Sequence, residues 1–298
     1  MPWYLFALAT PTLYSFTNFV DKFLIEKKIK DPIAITALAG LASGFIGLIL
    51  GFFKGFENIG LSQTAILLFA GILLIFYLIP YFEAMKMEDA SRIVPLYQFI
   101  PVFTLILSGL ILQEHLNTRQ IVGLLLVVAA GFLISAKKVE GGIFKPRKAL
   151  WFMLVASFMY GSVGILFRFV VRDTNFWTTL SYEYMGTGIG ALILFTIPKV
   201  RRNILIQTNE IKNSFGIISA NNALGLVAQM SESYAVSLAA VPLVNLIGSI
   251  QPLIVLIEGY ILSVRFPQII KEDIDIATLT HKLISILIIF AGLYLVYF

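Results

Sequence analysis

Apolar residues along this chain form long stretches, and polar residues collect in the short segments between them. A stretch of about 20 apolar residues is long enough to cross the hydrocarbon core of a bilayer as an α-helix. The pattern therefore predicts an all-α integral membrane protein with ten transmembrane helices. Their predicted bounds are Trp3–Val20, Pro32–Phe53, Thr64–Ala84, Ser91–Leu112, Arg119–Ser135, Ala149–Arg168, Phe176–Pro198, Phe215–Tyr234, Val241–Leu262 and Leu279–Tyr297.

The two halves of the chain show a weak internal repeat. An offset of 146 residues aligns Tyr14 with Tyr160. The same offset aligns Lys22 with Arg168. Each half would hold five helices, and this odd number predicts two inverted five-helix repeats, an arrangement typical of transporters that bind substrate near the membrane midplane. The predicted units are residues 1–138, a basic linker at 139–148 and residues 149–298.

The composition agrees with a membrane protein and excludes several other classes. Hydrophobic residues make up 58% of the chain and charged residues 13%, with a mean hydropathy of +0.89. Soluble domains carry about 25% charged residues. The net charge of +5 does not indicate nucleic-acid binding, because the basic residues lie between apolar stretches. Since the sequence has no cysteine and no nucleotide-binding glycine-rich loop, we predict no cofactor and no metal site.

Lysine and arginine residues predict the orientation in the membrane. Of the 22 basic residues, 18 lie in or beside segments that follow odd-numbered predicted helices, and 4 lie on the other side. Cytoplasmic loops retain basic residues, so both termini are expected outside the cytoplasm. The expected partners are membrane lipids and a small-molecule substrate. A monomer is favoured over a dimer, and the expected location is a prokaryotic inner membrane.

A set of short motifs resembles a known family. The motifs are Ala90–Pro95, Pro101, Leu112–Leu116, Gly123 and Ala130–Gly131. Their spacing is similar to that of EamA-like transporters of the drug/metabolite transporter superfamily. The resemblance implies a ten-helix fold of two inverted repeats that exports or exchanges small metabolites around a central cavity. It also implies cytoplasmic termini, against the charge distribution, and a second glutamate where this chain has Arg265.

Glu183 is the sharpest functional candidate in the sequence, because it is the one charged residue between Asp173 and Lys199 and lies in the seventh predicted helix. A carboxylate in hydrocarbon is costly, so this side chain should face a cavity or a partner, or be protonated. We predict that it binds substrate or couples transport to protons. A carboxylate near the membrane interface is the alternative. Glu232 and Glu258 are weaker candidates of the same kind.

Polar side chains within several apolar helices would together suffice to line a substrate cavity. Each one alone has the simpler interpretation of a helix-to-helix hydrogen bond. The predicted substrate-binding residues besides Glu183 are Tyr14, Asn18, Tyr81, Gln98, Tyr160, Asn222, Gln229 and Asn245. Tyr77 and Asn221 belong to the same polar group.

Other residues have mainly structural interpretations. Pro101 and Pro252 lie inside apolar stretches at equivalent positions of the two halves, and they predict helix kinks. Asp21 and Lys22 are candidates for an ion pair, and Glu114 is placed to interact with the N-terminal dipole of the fifth helix. Close packing against a neighbouring helix is predicted for the glycines on one face of the second helix, namely Gly40, Gly44, Gly47 and Gly51.

The repeat, the polar residues and the resemblance together predict a secondary transporter that exports or exchanges small organic metabolites by alternating access. The alternative is a flippase for amphiphilic or lipid-linked substrates, in which Lys22 or Arg168 would bind the head group. An enzyme is not predicted, because the only histidines are His115 and His281, and neither lies in a hydrolytic motif.

Overall fold

The computed structural model describes residues 2–29, 31–112, 117–138, 144–239, 241–268 and 275–297. Within these ranges the regular structure is helical apart from two short strands. Glu114, His115 and residues 139–143 of the predicted linker lie outside the described residues.

Seven α-helices and one 3₁₀-helix form the described part of the first half. They are α1 (Trp3–Lys27), α2 (Pro32–Lys54), α3 (Gly60–Phe76), α4 (Leu78–Met85), α5 (Ala90–Ile93), the 3₁₀-helix Val94–Gln98, α6 (Phe99–Leu112) and α7 (Thr118–Ser135). Strands β1 (Ala136–Lys138) and β2 (Phe144–Pro146) then pair antiparallel. The apolar pattern did not predict this hairpin, because that pattern ends at Ser135.

The second half is helical throughout its described residues. Its helices are α8 (Lys148–Val171), α9 (Phe176–Thr196), α10 (Pro198–Ile206), α11 (Thr208–Asn213), α12 (Phe215–Leu238), α13 (Val241–Gly248), α14 (Gln251–Arg265) and α15 (Ile276–Tyr297). The short helices α10 and α11 lie in a segment that the sequence pattern left as a connection. Pro198 occupies the first turn of α10, where a missing backbone N–H costs nothing.

The outer surface of the helices is apolar. Phe52 is 80% exposed and Leu61 is 87% exposed, and many other large apolar side chains are similarly uncovered. Such a surface suits lipid as the surrounding solvent. Five stretches of the described residues are long and apolar enough to cross a membrane: Pro32–Lys54, Leu61–Met85, Ala90–Ile111, Lys148–Val171 and Ile276–Leu295. The other predicted spans coincide with α1, α7, α9, α12 and the α13–α14 pair.

The main helix contacts join the two halves of the chain. Helix α2 packs on α9, α1 packs on α12, and α7 packs on α15. Helix α8 of the second half packs on α3, α4 and α6 of the first, while α1 also contacts α13 and α14. Each half therefore completes its packing on the other.

Glycines bring the backbones of α2, α3 and α9 into direct contact. A Cβ atom on Gly44 would lie 2.6 Å from the Cα atom of Gly188, and one on Gly47 would lie 2.8 Å from the backbone nitrogen of Met185. A Cβ atom on Gly71 of α3 would collide with the carbonyl oxygen of Glu183. The close packing predicted for the α2 glycines is thus confirmed for Gly40, Gly44 and Gly47, while Gly51 faces the ring of Phe56.

Both predicted kink positions lie beside interruptions of the helix. The 3₁₀-helix Val94–Gln98 precedes α6, which contains Pro101 near its start. In the second half, the turn at 249–250 separates α13 from α14, and Pro252 lies in the first turn of α14. The prolines therefore stand where a helix resumes after a break, since the first turn needs no backbone N–H donor.

Candidate functional site

A cavity of about 240 Å³ lies among helices from both halves of the chain. Residues of α1, α2, α3, α4 and α6 line it from the first half, and residues of α8, α9, α12, α13 and α14 line it from the second. Eight of the nine predicted substrate-binding residues lie on its wall: Tyr14, Asn18, Tyr81, Gln98, Tyr160, Asn222, Gln229 and Asn245. The structure thus brings together side chains that are up to 231 positions apart in the chain, from Tyr14 to Asn245.

Glu183, the ninth predicted residue, does not line the cavity. Its side chain is only 1% exposed, and its Oε2 atom has no hydrogen-bond partner among the described residues. Thr187, one turn further along α9, does lie on the cavity wall. Glu183 is therefore buried about one helical turn behind the wall, where α9 packs against α3.

A chain of hydrogen bonds holds Asp21 at one side of the cavity. Tyr81 donates to Asp21 Oδ2 at 3.1 Å, and Asn221 donates to Asp21 Oδ1 at 2.7 Å. Asn18 donates to the Tyr81 hydroxyl at 2.9 Å and accepts from Gln251 at 2.8 Å. The chain joins α1 to α4, α12 and α14, so it ties both halves together around one carboxylate.

A second carboxylate, Glu232 of α12, lies on the same wall. The hydroxyl of Tyr160 donates to Glu232 Oε2, and it also lies 3.3 Å from the hydroxyl of Tyr14. Tyr14 and Tyr160 are the residues that the 146-residue offset aligns. The two tyrosines that the offset aligns therefore meet each other inside the cavity.

Aromatic rings form much of the remaining wall. The rings of Tyr77 and Tyr160 meet edge to face with centroids 4.9 Å apart. The rings of Tyr81 and Tyr97 are stacked at 5.7 Å. All four line the cavity together with Tyr14. Five tyrosine rings thus belong to the same wall as both carboxylates.

Several polar atoms on the wall lack a partner among the described residues. They include Oε1 of Gln98 and Oδ1 of Asn221, whose side chains are 5% and 8% exposed, and Nε2 of Gln229. Buried polar atoms are normally hydrogen-bonded, and leaving one unbonded costs about 1–3 kcal/mol. A bound molecule with matching groups would satisfy them.

The predicted ion pair between Asp21 and Lys22 is wrong. Consecutive residues on a helix point in different directions. Lys22 instead pairs with Glu26 at 3.2 Å and donates to the carbonyl oxygens of Met85 and Glu88 at 2.8 and 2.7 Å. Asp21 consequently faces the cavity and not its neighbour.

Arg168 occupies the matching place in the second half. It donates to the carbonyl oxygens of Val236 and Ser237 at 2.7 and 2.9 Å, in the last turn of α12. Lys22 and Arg168 thus each bind carbonyl groups at the C-terminal end of a helix, where a positive charge is favourable. A head-group role for either residue, as the flippase hypothesis required, receives no support from these contacts.

Several residues of the cavity wall are not among the predicted substrate-binding residues. Asp21 lies three positions after Asn18, and Glu232 lies three positions after Gln229, so helical spacing from predicted residues was the signal that would have found them. Tyr97 and Gln251 also line the cavity. Glu258 does not line it and accepts a hydrogen bond from Ser15 at 3.1 Å.

Comparison with known proteins identifies the first half most clearly. Residues 1–136 match the model of the EamA-like transporter family, which confirms the resemblance seen in the sequence. No curated protein sequence matches the chain. A solved structure described as the crystal structure of a protein is similar over 98% of this chain and 95% of its own, with a TM-score of 0.57 and 14% identical residues. That similarity concerns the fold alone.

Proposed function

We propose that this chain is a secondary transporter of small organic molecules that works by alternating access, because residues 1–136 match the model of the EamA-like transporter family. The observation that carries the proposal is the polar cavity walled by both halves of the chain. A site shared by two similar units can be exposed to each face of the membrane in turn as the units rock.

Ten spans arranged as two inverted five-helix repeats are part of this proposal. Two pairs of equivalent residues support it. Tyr14 and Tyr160 meet each other across the cavity, and Lys22 and Arg168 each bind carbonyl groups at the end of a helix, α4 in one case and α12 in the other. Helix packing supports it as well, since α1 packs on α12 and α8 packs on α3 and α4.

Proton coupling through Glu183 is the second part of the proposal. Glu183 has one unbonded carboxylate oxygen, and Thr187 connects its helix to the cavity wall. Proton binding at Glu183 would remove a charge that is costly in a low-dielectric region, and Thr187 on the same helix would link this change to the cavity wall.

Uptake into proteoliposomes tests the transporter. A defined mixture of small amines, amino acids, sugars and nucleosides is added outside, and the trapped solutes are quantified by mass spectrometry. We expect at least one solute to enter faster than into protein-free liposomes, with saturation. No protein-dependent entry of any solute would contradict the proposal.

A matched pair of variants tests whether the cavity is the route. Gly225 lines the cavity and Gly216 does not, both lie on α12, and a Cβ atom on either would meet no atom within 4 Å. We expect Gly225→Phe to abolish uptake by filling the cavity and Gly216→Phe to retain it. Equal uptake by both variants would remove the cavity from the pathway.

A further inference from the structure

The charge of the cavity wall has one sign. Asp21 and Glu232 are the ionisable acids on the wall, and no lysine, arginine or histidine lines it among the described residues. The ion pairs recorded among the described residues include neither Asp21 nor Glu232. Lys22, next to Asp21 in the chain, is occupied by Glu26 and by backbone carbonyls.

Hydrogen bonds on the wall leave this negative charge uncompensated. Asp21 accepts from two neutral groups, Tyr81 and Asn221, and Glu232 accepts from the neutral hydroxyl of Tyr160. Neutral donors orient a carboxylate without supplying an opposite charge. Buried charges in proteins are normally paired with an opposite charge. A cationic ligand in the cavity would supply the missing positive charge.

Unbonded acceptors independently indicate a ligand with N–H groups. Oε1 of Gln98 and Oδ1 of Asn221 belong to side chains more than nine-tenths buried, and both residues line the cavity. An ammonium group offers N–H donors and no acceptor, which fits these two oxygens and the two carboxylates. The unbonded Nε2 of Gln229 fits an oxygen elsewhere on the same ligand.

Tyrosine rings add a third feature that favours a cation. Tyr14, Tyr77, Tyr81, Tyr97 and Tyr160 all lie on the wall. A cation over the face of an aromatic ring is attracted by the negative charge of the ring face, and more strongly where water is excluded. The cavity of about 240 Å³ lies just below the range of about 300–1,000 Å³ that is typical of small-molecule sites, so the ligand is small.

The geometry points to a small organic amine in its protonated form as the substrate of this cavity, held by Asp21 and Glu232 and surrounded by the tyrosine rings. This inference rests on the proposed transport function for its biological meaning. The predicted preference of the cavity for amines over neutral molecules can be measured at equilibrium, without any transport.

Charge-matched probes test the preference by isothermal titration calorimetry on the whole protein in detergent. Tyramine is compared with tyrosol, and 5-aminopentan-1-ol with pentane-1,5-diol; each pair exchanges an ammonium for a hydroxyl at nearly constant shape. We expect each amine to bind at least about tenfold more tightly than its alcohol, which corresponds to about 1.4 kcal/mol. The inference is overturned if neither amine binds more tightly than its partner.

Variants of the two carboxylates test where the amine binds. Glu232→Gln and Asp21→Asn should each weaken tyramine binding about tenfold, while Glu258→Gln, a carboxylate off the cavity, should stay within about twofold. A melting curve of each variant reports whether it is folded. If Asp21→Asn is unfolded, Glu232→Gln carries the test, and unchanged tyramine affinity in a folded Glu232→Gln variant would overturn the assignment of the site.

The outcomes separate this inference from the proposed function. Amine binding without uptake into proteoliposomes would support the cation site and contradict the transporter. Uptake of only neutral or anionic solutes, with no amine binding, would overturn the cation site and leave the transporter in place. Binding of N,N,N-trimethyltyramine as tight as that of tyramine would overturn the part played by the N–H donors.

Discussion

Glu183 and Glu232 are both carboxylates within apolar helices, yet their surroundings differ in kind. Glu183 lies where α9 touches α3 backbone to backbone, is only 1% exposed and does not line the cavity. Glu232 faces a cavity, is oriented by Tyr160 and lies among other polar side chains. Because a charge in hydrocarbon is costly, both carboxylates stand out in the sequence as functional candidates. The sequence does not show whether a ligand or only a proton can reach each of them.

Glycine accounts for much of this difference. Gly71 and Gly186 allow α3 and α9 to approach until a Cβ atom on either would collide with backbone atoms of the other helix. On the cavity side, Gly225 of α12 meets nothing within 4 Å. Glycine therefore allows close helix packing between α3 and α9, and it leaves open space at Gly225, where no neighbouring atom is near.

The largest expected effect comes from disturbing the close backbone contact between α3 and α9. In Gly71→Ala, the new methyl group would meet the Glu183 carbonyl oxygen and would lie 2.6 Å from the backbone nitrogen of Thr187. Overpacking of this kind costs about 1–3 kcal/mol or more. We expect a strong loss of monodisperse protein in size-exclusion chromatography and a lower melting temperature. Gly216→Ala, which meets no atom, is the control; equal stability of the two variants would contradict the close backbone contact.

A smaller effect, confined to function, is expected when the charge of Glu183 alone is removed. Glu183→Gln keeps the volume of the side chain, and the residue lies off the cavity. Tyramine affinity should therefore change by less than about threefold, or about 0.7 kcal/mol, while stimulation of uptake by a pH gradient should be lost. Gradient-stimulated uptake equal to that of the unmodified protein would remove Glu183 from proton coupling.

The smallest effect is expected from the hydroxyl that orients Glu232. Tyr160→Phe removes a hydrogen bond to a charged group, worth about 1.5–3 kcal/mol in typical cases; water that enters the cavity should replace part of it. We expect tyramine binding to weaken about fivefold, or about 1 kcal/mol. Tyr184→Phe is the matched control, because its hydroxyl makes a long 3.5 Å contact with the Leu226 carbonyl and not with Glu232. If both variants bind tyramine equally, Tyr160 has no part in orienting Glu232.

Much of the candidate site could be predicted from the sequence because polar residues in apolar helices are few. Tyr14, Asn18 and Gln229 stand out for that reason alone, and they all reach the cavity. Asp21 was misassigned because a charge near the end of a predicted helix is usually an interface residue. Only the structure shows that α1 continues to Lys27, which places Asp21 well inside the helix.

The long helices could likewise be predicted, since each follows from a continuous apolar run, whereas the short helices α10 and α11 do not. The interruption before Pro101 and the hairpin of β1 and β2 could not. Both depend on local backbone geometry, which leaves little trace in an average of hydropathy over 20 residues. The position of Glu183 behind the wall was equally hidden, because it depends on which face of α9 the glycines of α2 and α3 approach.

The backbone contacts among α2, α3 and α9 have a mechanical consequence. Helices that touch through Gly44 and Gly188, or through Gly71 and Glu183, have no side-chain layer that could deform while they slide or tilt apart. We therefore expect these three helices to keep their relative positions. If the proposed alternating access occurs, its movement should be found in other helices of the cavity wall, such as α1 and α12, which carry Asp21 and Glu232.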